Sequence, residues 1–219
     1  MIEFRNVTKY FLLPHGRKTV IDNLTLTLPS GTKLGVLGRN GAGKSTLLSM
    51  IGGTTKPNRG EIRRHTSISW PLGFRGTFHP DLTGRQNVRF AARVYGVDTD
   101  ALVDFVADFA EIGPFMDMPM RTYSSGMGAR LAFGMSMGVS FDWYLVDEIT
   151  SVGDTRFRRK SLTVFRSKLK DAGLLMVSHN AKTIRDYCNC GLVIENGQAV
   201  FFDDVDKAIA HHERNMRRA

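Results

Sequence analysis

Residues 38–45 read Gly38-Arg39-Asn40-Gly41-Ala42-Gly43-Lys44-Ser45, and this stretch decides the fold. An apolar run precedes it and a helix-forming run follows it, so we expect a strand, a tight loop and a helix. Glycines allow the backbone N–H groups of such a loop to point inward at phosphate oxygens, and the helix turns its positive end toward them. The loop therefore predicts a nucleoside triphosphate site, in which Lys44 meets the β- and γ-phosphates and Ser45 meets Mg²⁺.

Polar side chains also follow two later apolar runs. Residues 143–146 read as a buried strand that ends in Asp147 and Glu148, and residues 174–177 read as a second strand that leads to His179. The carboxyl ends of parallel strands meet at one edge of a sheet, where nucleotides bind in α/β folds. We expect Asp147 to hold Mg²⁺, Glu148 to polarise the attacking water, and His179 to bond the γ-phosphate and hold Glu148 or the water in place.

The pattern of apolar residues divides the chain into a strand-rich frame and a helical insert. The frame opens with alternating residues typical of antiparallel strands, and after residue 140 it resumes as alternating strands and helices, with a hairpin turn at Asn196-Gly197. The sequence predicts a single α/β domain over 1–219, built on a P-loop NTPase core with a RecA-like parallel sheet. That core and an N-terminal antiparallel β subdomain occupy 1–74 and 141–219, and an α-helical insert occupies 75–140.

Composition and charge narrow the class of protein. The chain has 219 residues, 42% of them hydrophobic, which suits a folded domain and argues against disorder. It has no apolar run of about 18 residues and no secretory signal, so we expect a protein of the cytosol or of the cytosolic face of a membrane. The net charge of +9 suits a nucleotide, a nucleic acid or anionic lipid. Cys188 and Cys190 are too few for a disulfide framework and are expected to be reduced.

The order of these motifs resembles the nucleotide-binding domain of ABC transporters, and the resemblance covers essentially the whole chain. Residues 123–130 read Tyr-Ser-Ser-Gly-Met-Gly-Ala-Arg and occupy the place of the family signature LSGGQ. Ser125 and Met127 depart from the usual Gly and Gln, although Ser125 can still donate a hydroxyl. The resemblance implies that this segment faces the γ-phosphate held by a second subunit. Residues 151–154, Ser-Val-Gly-Asp, match the D-loop, which touches the opposing subunit near the catalytic site.

The resemblance implies a full set of site residues, with ATP and Mg²⁺ as cofactors. For adenine stacking the family uses an aromatic residue shortly after the first strand, which is Phe11, with Tyr10 as the alternative; a ring there could equally belong to the core. The nucleotide-binding set is Phe11, Gly38, Arg39, Asn40, Gly41, Ala42, Gly43, Lys44, Ser45, Thr46, Ser124, Ser125, Gly126 and Asp154. The metal ligands are Ser45 and Asp147, and the catalytic residues are Lys44, Glu148 and His179.

One departure from the family concerns the strand after the phosphate-loop helix. The family places a Gln there that bonds Mg²⁺ and senses the membrane subunit, whereas residues 67–74 read Ser-Ile-Ser-Trp-Pro-Leu-Gly-Phe. Gln86 lies too far along the chain to take that place. Together with the altered signature, this stretch resembles the ATPase subunits of bacterial polysaccharide exporters. Because the chain ends soon after the hairpin, we expect the capsule-export type rather than the O-antigen or teichoic-acid types, which often carry an extra C-terminal domain.

The resemblance also implies the partners and the location. We expect a homodimer of ATPase subunits with a separate integral-membrane permease, within a wider export complex, peripheral on the cytoplasmic face of the inner membrane. The motion would pass to the permease around residues 70–90. No direct contact with nucleic acid is expected. The rival interpretation is a soluble ATPase of the same superfamily that acts on ribosomes or DNA, which the positive charge favours but which usually needs a second cassette or a coiled-coil insert.

Two charged segments leave alternatives open. Four acidic residues recur at helical spacing: Asp100, Asp104, Asp108 and Glu111. They form either a solvated helix face or a docking face for a basic partner loop. A small basic tail consists of Arg214, Arg217 and Arg218. It is either a solvated helix end or a contact with anionic lipid.

Overall fold

The computed structural model describes residues 1–14, 16–72, 78–148 and 154–217. The strands are β1 Ile2–Leu13, β2 Gly16–Leu28, β3 Lys33–Leu37, β4 Arg59–Arg64, β5 Ile68–Pro71, β6 Trp143–Asp147, β7 Gly173–Val177, β8 Cys190–Glu195 and β9 Gln198–Phe202. The helices are α1 Lys44–Ile51, α2 Gly84–Tyr95, α3 Thr99–Ala110, α4 Ser125–Gly138, α5 Thr155–Lys168, α6 Ala181–Tyr187 and α7 Val205–Arg217. Short 3-10 helices cover Gly113–Asp117 and Met120–Thr122.

The described residues cluster into two compact units. The first comprises residues up to Pro71, the segment 141–148 and the residues from Asp171 onward. The second comprises the described parts of 72–140 together with the segment 154–170. Helix α5 thus clusters with the helices of the insert, although it lies outside the expected insert bounds of 75–140. Those expected bounds stay a prediction.

The first unit holds two sheets. One has the strand order β5-β6-β7-β3-β8-β9, in which the neighbours from β5 to β8 pair in parallel and β9 pairs antiparallel with β8. The other is an antiparallel sheet of order β2-β1-β4. The expected α/β class is confirmed, with its antiparallel N-terminal sheet. Strand β3 lies between β7 and β8, so the loop that follows β3 leaves the carboxyl edge of the parallel sheet near its middle.

The core of this unit explains why these segments form strands. Parallel strands are covered on both faces and therefore read as continuous apolar runs. Strands β3 and β7 follow this pattern, with Leu34, Val36, Leu175 and Val177 almost fully buried. Trp143 on β6 lies over Gly173 on β7 so closely that a Cβ atom on Gly173 would meet the indole ring at 2.6 Å. A glycine is required there because the indole fills the space of a side chain.

The second unit is helical and depends on small residues. Helix α4 turns Gly134 and Gly138 toward α3, where a Cβ on Gly138 would lie 2.3 Å from the Leu102 side chain. Helix α2 begins with a capping box in which Gln86 Oε1 accepts from the Thr83 N–H at 2.9 Å and the Gln86 N–H donates to Thr83 Oγ1 at 3.1 Å. The structure thus gives Gln86 a local capping role.

The acidic stripe on α3 is partly engaged within its own unit. Arg89 lies 3.5 Å from Asp100, and the Lys160 ammonium lies 2.7 Å from Glu111. Both ends of the stripe therefore have basic neighbours in this chain, and the docking alternative stays a prediction.

The two cysteines are buried, and burial raises the pKa of both thiols. Cys188 follows α6 and Cys190 opens β8, and both thiols are free. Burial raises the pKa of Cys188 to about 12 and that of Cys190 to about 11. The expectation that both cysteines are reduced stays a prediction. Among the described residues, no helix is long and apolar enough to cross a bilayer.

Candidate functional site

The loop after β3 has the backbone geometry that its glycines predict. Gly38, Gly41 and Gly43 have φ values of 154°, 74° and 114°. A Cβ on Gly38 would lie 2.4 Å from the Ile194 carbonyl oxygen, and one on Gly43 would lie 2.9 Å from the Val20 Cβ. Gly38 is buried, whereas the rim residues 39–41 are exposed. At Gly38 and Gly43 both the backbone angle and the neighbouring atoms exclude a side chain, whereas at Gly41 the backbone angle alone favours glycine.

Helix α1 starts at this loop without a side-chain cap. Its N-cap is Gly43, which has no side chain to accept a hydrogen bond from the first turn. The free N–H groups at such a helix start are satisfied by water or by an anion, and the helix dipole favours the anion. Ser45 and Thr46 lie in this first turn, exposed and half-buried respectively. The predicted phosphate-binding residues 38–46 are therefore assembled in one loop and one helix start.

The Lys44 ammonium lies inside the loop. The Lys44 residue is 7% exposed, and its ammonium donates to the Gly38 carbonyl at 2.7 Å and to the Arg39 carbonyl at 3.0 Å. Burial lowers the pKa of Lys44, and the carboxylates of Asp147 and Glu148 act in the opposite direction. The loop thus holds its cation in place before any phosphate arrives, which reduces the ordering that binding requires.

Ser45 and Asp147 converge although 102 residues separate them. The Ser45 hydroxyl donates to Asp147 Oδ2 at 3.0 Å. A hydroxyl and a carboxylate are hard oxygen ligands of the kind that Mg²⁺ takes alongside substrate phosphates and water. Among the residues that the structure describes, no group of three or more His, Cys, Asp or Glu side chains could hold a metal by itself. Because Ser45 and Asp147 both offer oxygen ligands, the pair fits a Mg²⁺ ion that takes its other ligands from phosphate and water.

Glu148 and His179 meet at the edges of β6 and β7. Asp147 pairs with Val177 in the sheet, so the residues that follow each strand are neighbours. His179 Nε2 lies 3.5 Å from Glu148 Oε1, and both side chains are about half exposed, at 54% and 53%. Glu148 has φ 51°, a left-handed conformation held by a hydrogen bond from its N–H to the Val177 carbonyl at 2.9 Å. Such backbone strain at a carboxylate is typical of functional sites.

Helix α7 lies at the same carboxyl edge of the parallel sheet. The sequence analysis did not predict this position. A pocket of about 330 Å³ lies between the strand ends at Gly38 and His179 and the side chains of His212, Glu213 and Met216. Burial lowers the pKa of His212, and the charges of Lys44 and His179 act in the same direction. The amphipathic pattern of α7 could have predicted a buried face at Ala208 and Ile209, but the pattern carries no information about which edge that face covers.

Tyr10 and Phe11 are the two candidates for adenine stacking, and their side chains project from opposite faces of the β1–β2 ribbon. Tyr10 is opposite Thr19, and Phe11 is opposite Lys18. The Arg17 guanidinium lies over the Tyr10 ring at 4.7 Å, and the Lys9 ammonium lies over the Phe11 ring at 5.1 Å. Phe11 is 42% exposed. Phe11 is the more exposed of the two residues, which favours it over Tyr10 for adenine stacking, and the choice stays a prediction.

The signature segment in the second unit forms a helix start. Ser124 caps α4, and its hydroxyl oxygen accepts from the Met127 N–H at 3.2 Å. Ser124 and Ser125 are exposed, and a Cβ on Gly126 would meet nothing closer than 3.9 Å. The segment therefore presents N–H groups and hydroxyls to its surroundings, as an anion site does.

Asp154 has a structural role within its own chain. It caps α5, where Oδ1 accepts from the Phe157 N–H at 2.9 Å, and Oδ2 accepts from Arg130 Nη2 at 2.8 Å. The Arg130 guanidinium also lies over the Phe157 ring at 4.5 Å. The hydrogen bond to Phe157 and the Arg130 charge hold the pKa of Asp154 below its ordinary value. Ser151, Val152 and Gly153 of the predicted D-loop lie outside the described residues.

We expect Arg130→Ala to lower the free energy of unfolding by about 1–2 kcal/mol, because it removes a charge-assisted hydrogen bond and a ring contact together. The matched control is Arg158→Ala, an exposed arginine on the same helix as Phe157 that makes no ion pair within the described ranges. Urea denaturation of both variants measures the difference. Equal stability of the two variants would contradict this role for Arg130.

The sequence and the fold of this chain are similar to those of known proteins. A family model described as ABC transporter matches residues 21–151. The chain is 44% identical over 219 residues to the polysialic acid transport ATP-binding protein KpsT of Escherichia coli, covering 99% of this chain and 100% of that protein. It is 44% identical over 212 residues to the capsule polysaccharide export ATP-binding protein CtrD of Neisseria meningitidis serogroup B, covering 97% and 98%. Among solved structures, a dimeric post-hydrolysis state of the ATP-binding cassette MJ0796 with ADP and Pi is similar, with TM-score 0.77 at 18% identity, covering 94% of this chain and 99% of that chain.

Proposed function

Because this chain belongs to the ABC transporter family as an ATP-binding, ATP-hydrolysing domain, we propose that it powers export of a lipid-linked capsular polysaccharide across the inner membrane. The observation that carries the ATPase assignment is the convergence of five side chains at one sheet edge. These are Lys44 inside its loop, Ser45 bonded to Asp147, and Glu148 beside His179.

The geometry supports a hydrolytic mechanism in which each side chain has one role. The Lys44 ammonium balances charge on the β- and γ-phosphates. Ser45 and Asp147 would hold Mg²⁺, which neutralises phosphate charge when bound. Glu148 orients the attacking water and accepts its hydrogen bond, which positions the water in line with the γ-phosphate. His179, 3.5 Å from Glu148, bonds the γ-phosphate and keeps the carboxylate in place.

The site is half of an ATP site, and the second half comes from another copy of the chain. In this proposal two copies pack head to tail around two ATP molecules. The exposed helix start at Ser124, Ser125 and Gly126 of one copy meets the γ-phosphate held by the other. Asp154 approaches the same interface, and its bond to Arg130 ties it to the signature helix. The dimeric cassette MJ0796 supports this arrangement as a structural analogue.

The cargo proposal rests on the relatives' names. KpsT and CtrD are named for transport of polysialic acid and export of capsule polysaccharide, and each aligns with nearly the full length of this chain. The chain would act beside a separate membrane permease at the cytoplasmic face, without contact to nucleic acid. The residues that contact the permease would lie around 70–90; of these, 73–77 are outside the described ranges.

A capsule test distinguishes the cargo from its rivals. Loss of this chain from its native cell is expected to abolish surface capsular polysaccharide and to leave the lipid-linked polymer inside the cell. The wild-type chain should restore export, whereas a chain with Glu148→Gln should not. The measurement is surface staining of the polysaccharide together with fractionation of the ATPase. Intact capsule with lost O-antigen or teichoic acid would move the proposal to that cargo, and co-sedimentation with ribosomes alone would overturn the transport role.

A further inference from the structure

We propose that Lys18 is a further nucleotide-contacting residue, which adds a second positive charge to the phosphates at the loop after β3. Lys18 lies on β2, outside residues 38–46 and outside every motif that sequence reasoning used. The inference rests on the proposed function, because the ligand is the ATP of the same site. It concerns which residues of the chain hold that ATP.

The first observation is the position of the Lys18 ammonium. Lys18 Nζ lies 3.6 Å from the point that a Cβ on Gly41 would occupy, which places the charge beside the middle of the phosphate loop. Val20, two residues further along β2, lies against Gly43 of the same loop. Strand β2 thus runs along the loop, and the side chains of Lys18 and Val20 both reach it.

The second observation is the register of the ribbon. Phe11 on β1 is directly opposite Lys18 on β2, and directly paired residues of an antiparallel ribbon project from the same face. The ring proposed to stack on adenine and the ammonium at the loop therefore lie on one face. Arg17, next to Lys18 in sequence, projects from the other face, where its guanidinium covers Tyr10 at 4.7 Å.

The third observation is the lack of a protein partner for this charge. The Lys9 ammonium donates to the Lys56 carbonyl, and the Lys44 ammonium donates to two loop carbonyls. Within the described ranges, the structure assigns no hydrogen bond or ion pair to the Lys18 ammonium, and the side chain is exposed. A lysine is a mobile point charge that suits phosphate oxygens. The anion that the loop is built to receive is then the natural partner of Lys18.

Binding of MgATP and MgADP to purified full-length chain tests this role. At low salt we expect Lys18→Ala to raise both dissociation constants about three- to tenfold, since it removes one charge close to the phosphates. Lys18→Arg should stay within about twofold of the wild type, and the loss in Lys18→Ala should shrink in 0.5 M NaCl because salt screens exposed charges. The matched control is Arg17→Ala, which removes the same charge from the opposite face and should leave both constants within about twofold.

The outcomes separate the inference from the proposed function. Normal wild-type binding with an unaffected Lys18→Ala variant would overturn the role of Lys18 alone. That role is also overturned if Arg17→Ala weakens binding as much as Lys18→Ala does, because the effect would then come from net charge. A folded wild-type chain that binds neither nucleotide would overturn the proposed function as well. Thermal unfolding of each variant checks that the fold is intact.

Discussion

Glu148→Gln is expected to leave the affinity for MgATP within about twofold of the wild type while slowing steady-state hydrolysis at least ~100-fold. The amide keeps the size of the carboxylate, so the loop around Lys44 and the pair of Ser45 with Asp147 stay intact. The neutral amide oxygen is a weaker hydrogen-bond acceptor than the carboxylate, so it polarises the attacking water less, and it carries no charge toward His179, 3.5 Å away. Binding and hydrolysis should therefore separate in this variant.

The same variant should accumulate as an ATP-bound dimer, because hydrolysis is the step that opens the interface in the proposed mechanism. Size-exclusion chromatography with light scattering, with and without MgATP, measures this, alongside phosphate release. The control is Glu61→Gln, an exposed carboxylate on β4 whose neighbours are Arg5 and Arg63. The control should hydrolyse ATP like the wild type. A monomeric Glu148→Gln chain with normal turnover would remove Glu148 from the catalytic set.

Lys44→Ala is expected to weaken MgATP binding at least ~100-fold, because the ammonium is the buried charge that the phosphates meet. The loss should not come from unfolding. Burial lowers the pKa of Lys44, so the folded chain bears a desolvation cost that the alanine removes. The carbonyls of Gly38 and Arg39 lose a donor in exchange, and the net change in stability should be small.

Calorimetric titration with MgATP and urea denaturation of the same sample measure binding and stability separately. Lys56→Ala is the matched control, since Lys56 is an exposed lysine and its replacement removes the same charge. It should bind MgATP within about twofold of the wild type. If Lys44→Ala keeps wild-type affinity, the loop is not the phosphate site. If it unfolds, the Gly38 and Arg39 contacts matter more than the lysine's desolvation.

The sequence predicted which residues meet at the carboxyl edge of the parallel sheet, because each of these parts is local. Residues 38–45 form a loop whose geometry depends on its own glycines, and Asp147, Glu148 and His179 each follow a continuous apolar strand. Once the strands pair in parallel, those residues arrive at one edge without further information. The capping role of Gln86 was not predicted, although Thr83 and Gln86 have the spacing of a capping box.

Contacts between distant segments could not be predicted in the same way. Whether Phe11 or Tyr10 faces the loop depends on strand register, and a shift of one residue exchanges the two faces. The hydrogen bond from Arg130 to Asp154 joins the second turn of α4 to the N-cap of α5, and no periodic pattern specifies how these helices pack. Helix α7 presents the same difficulty, because its apolar residues predict burial but do not identify the strand ends that it covers.

The buried thiols have a practical consequence for site-specific labelling of this protein. With pKa values of about 12 and about 11, Cys188 and Cys190 present about one thiolate in ten thousand or fewer at pH 7, and both side chains lie inside the first unit. Maleimide reagents attack thiolates, so the native residues can stay in place as silent positions. A single cysteine introduced on an exposed surface would then carry a fluorophore or spin label without a cysteine-free background, and distances between labelled copies would test whether the proposed dimer closes and opens.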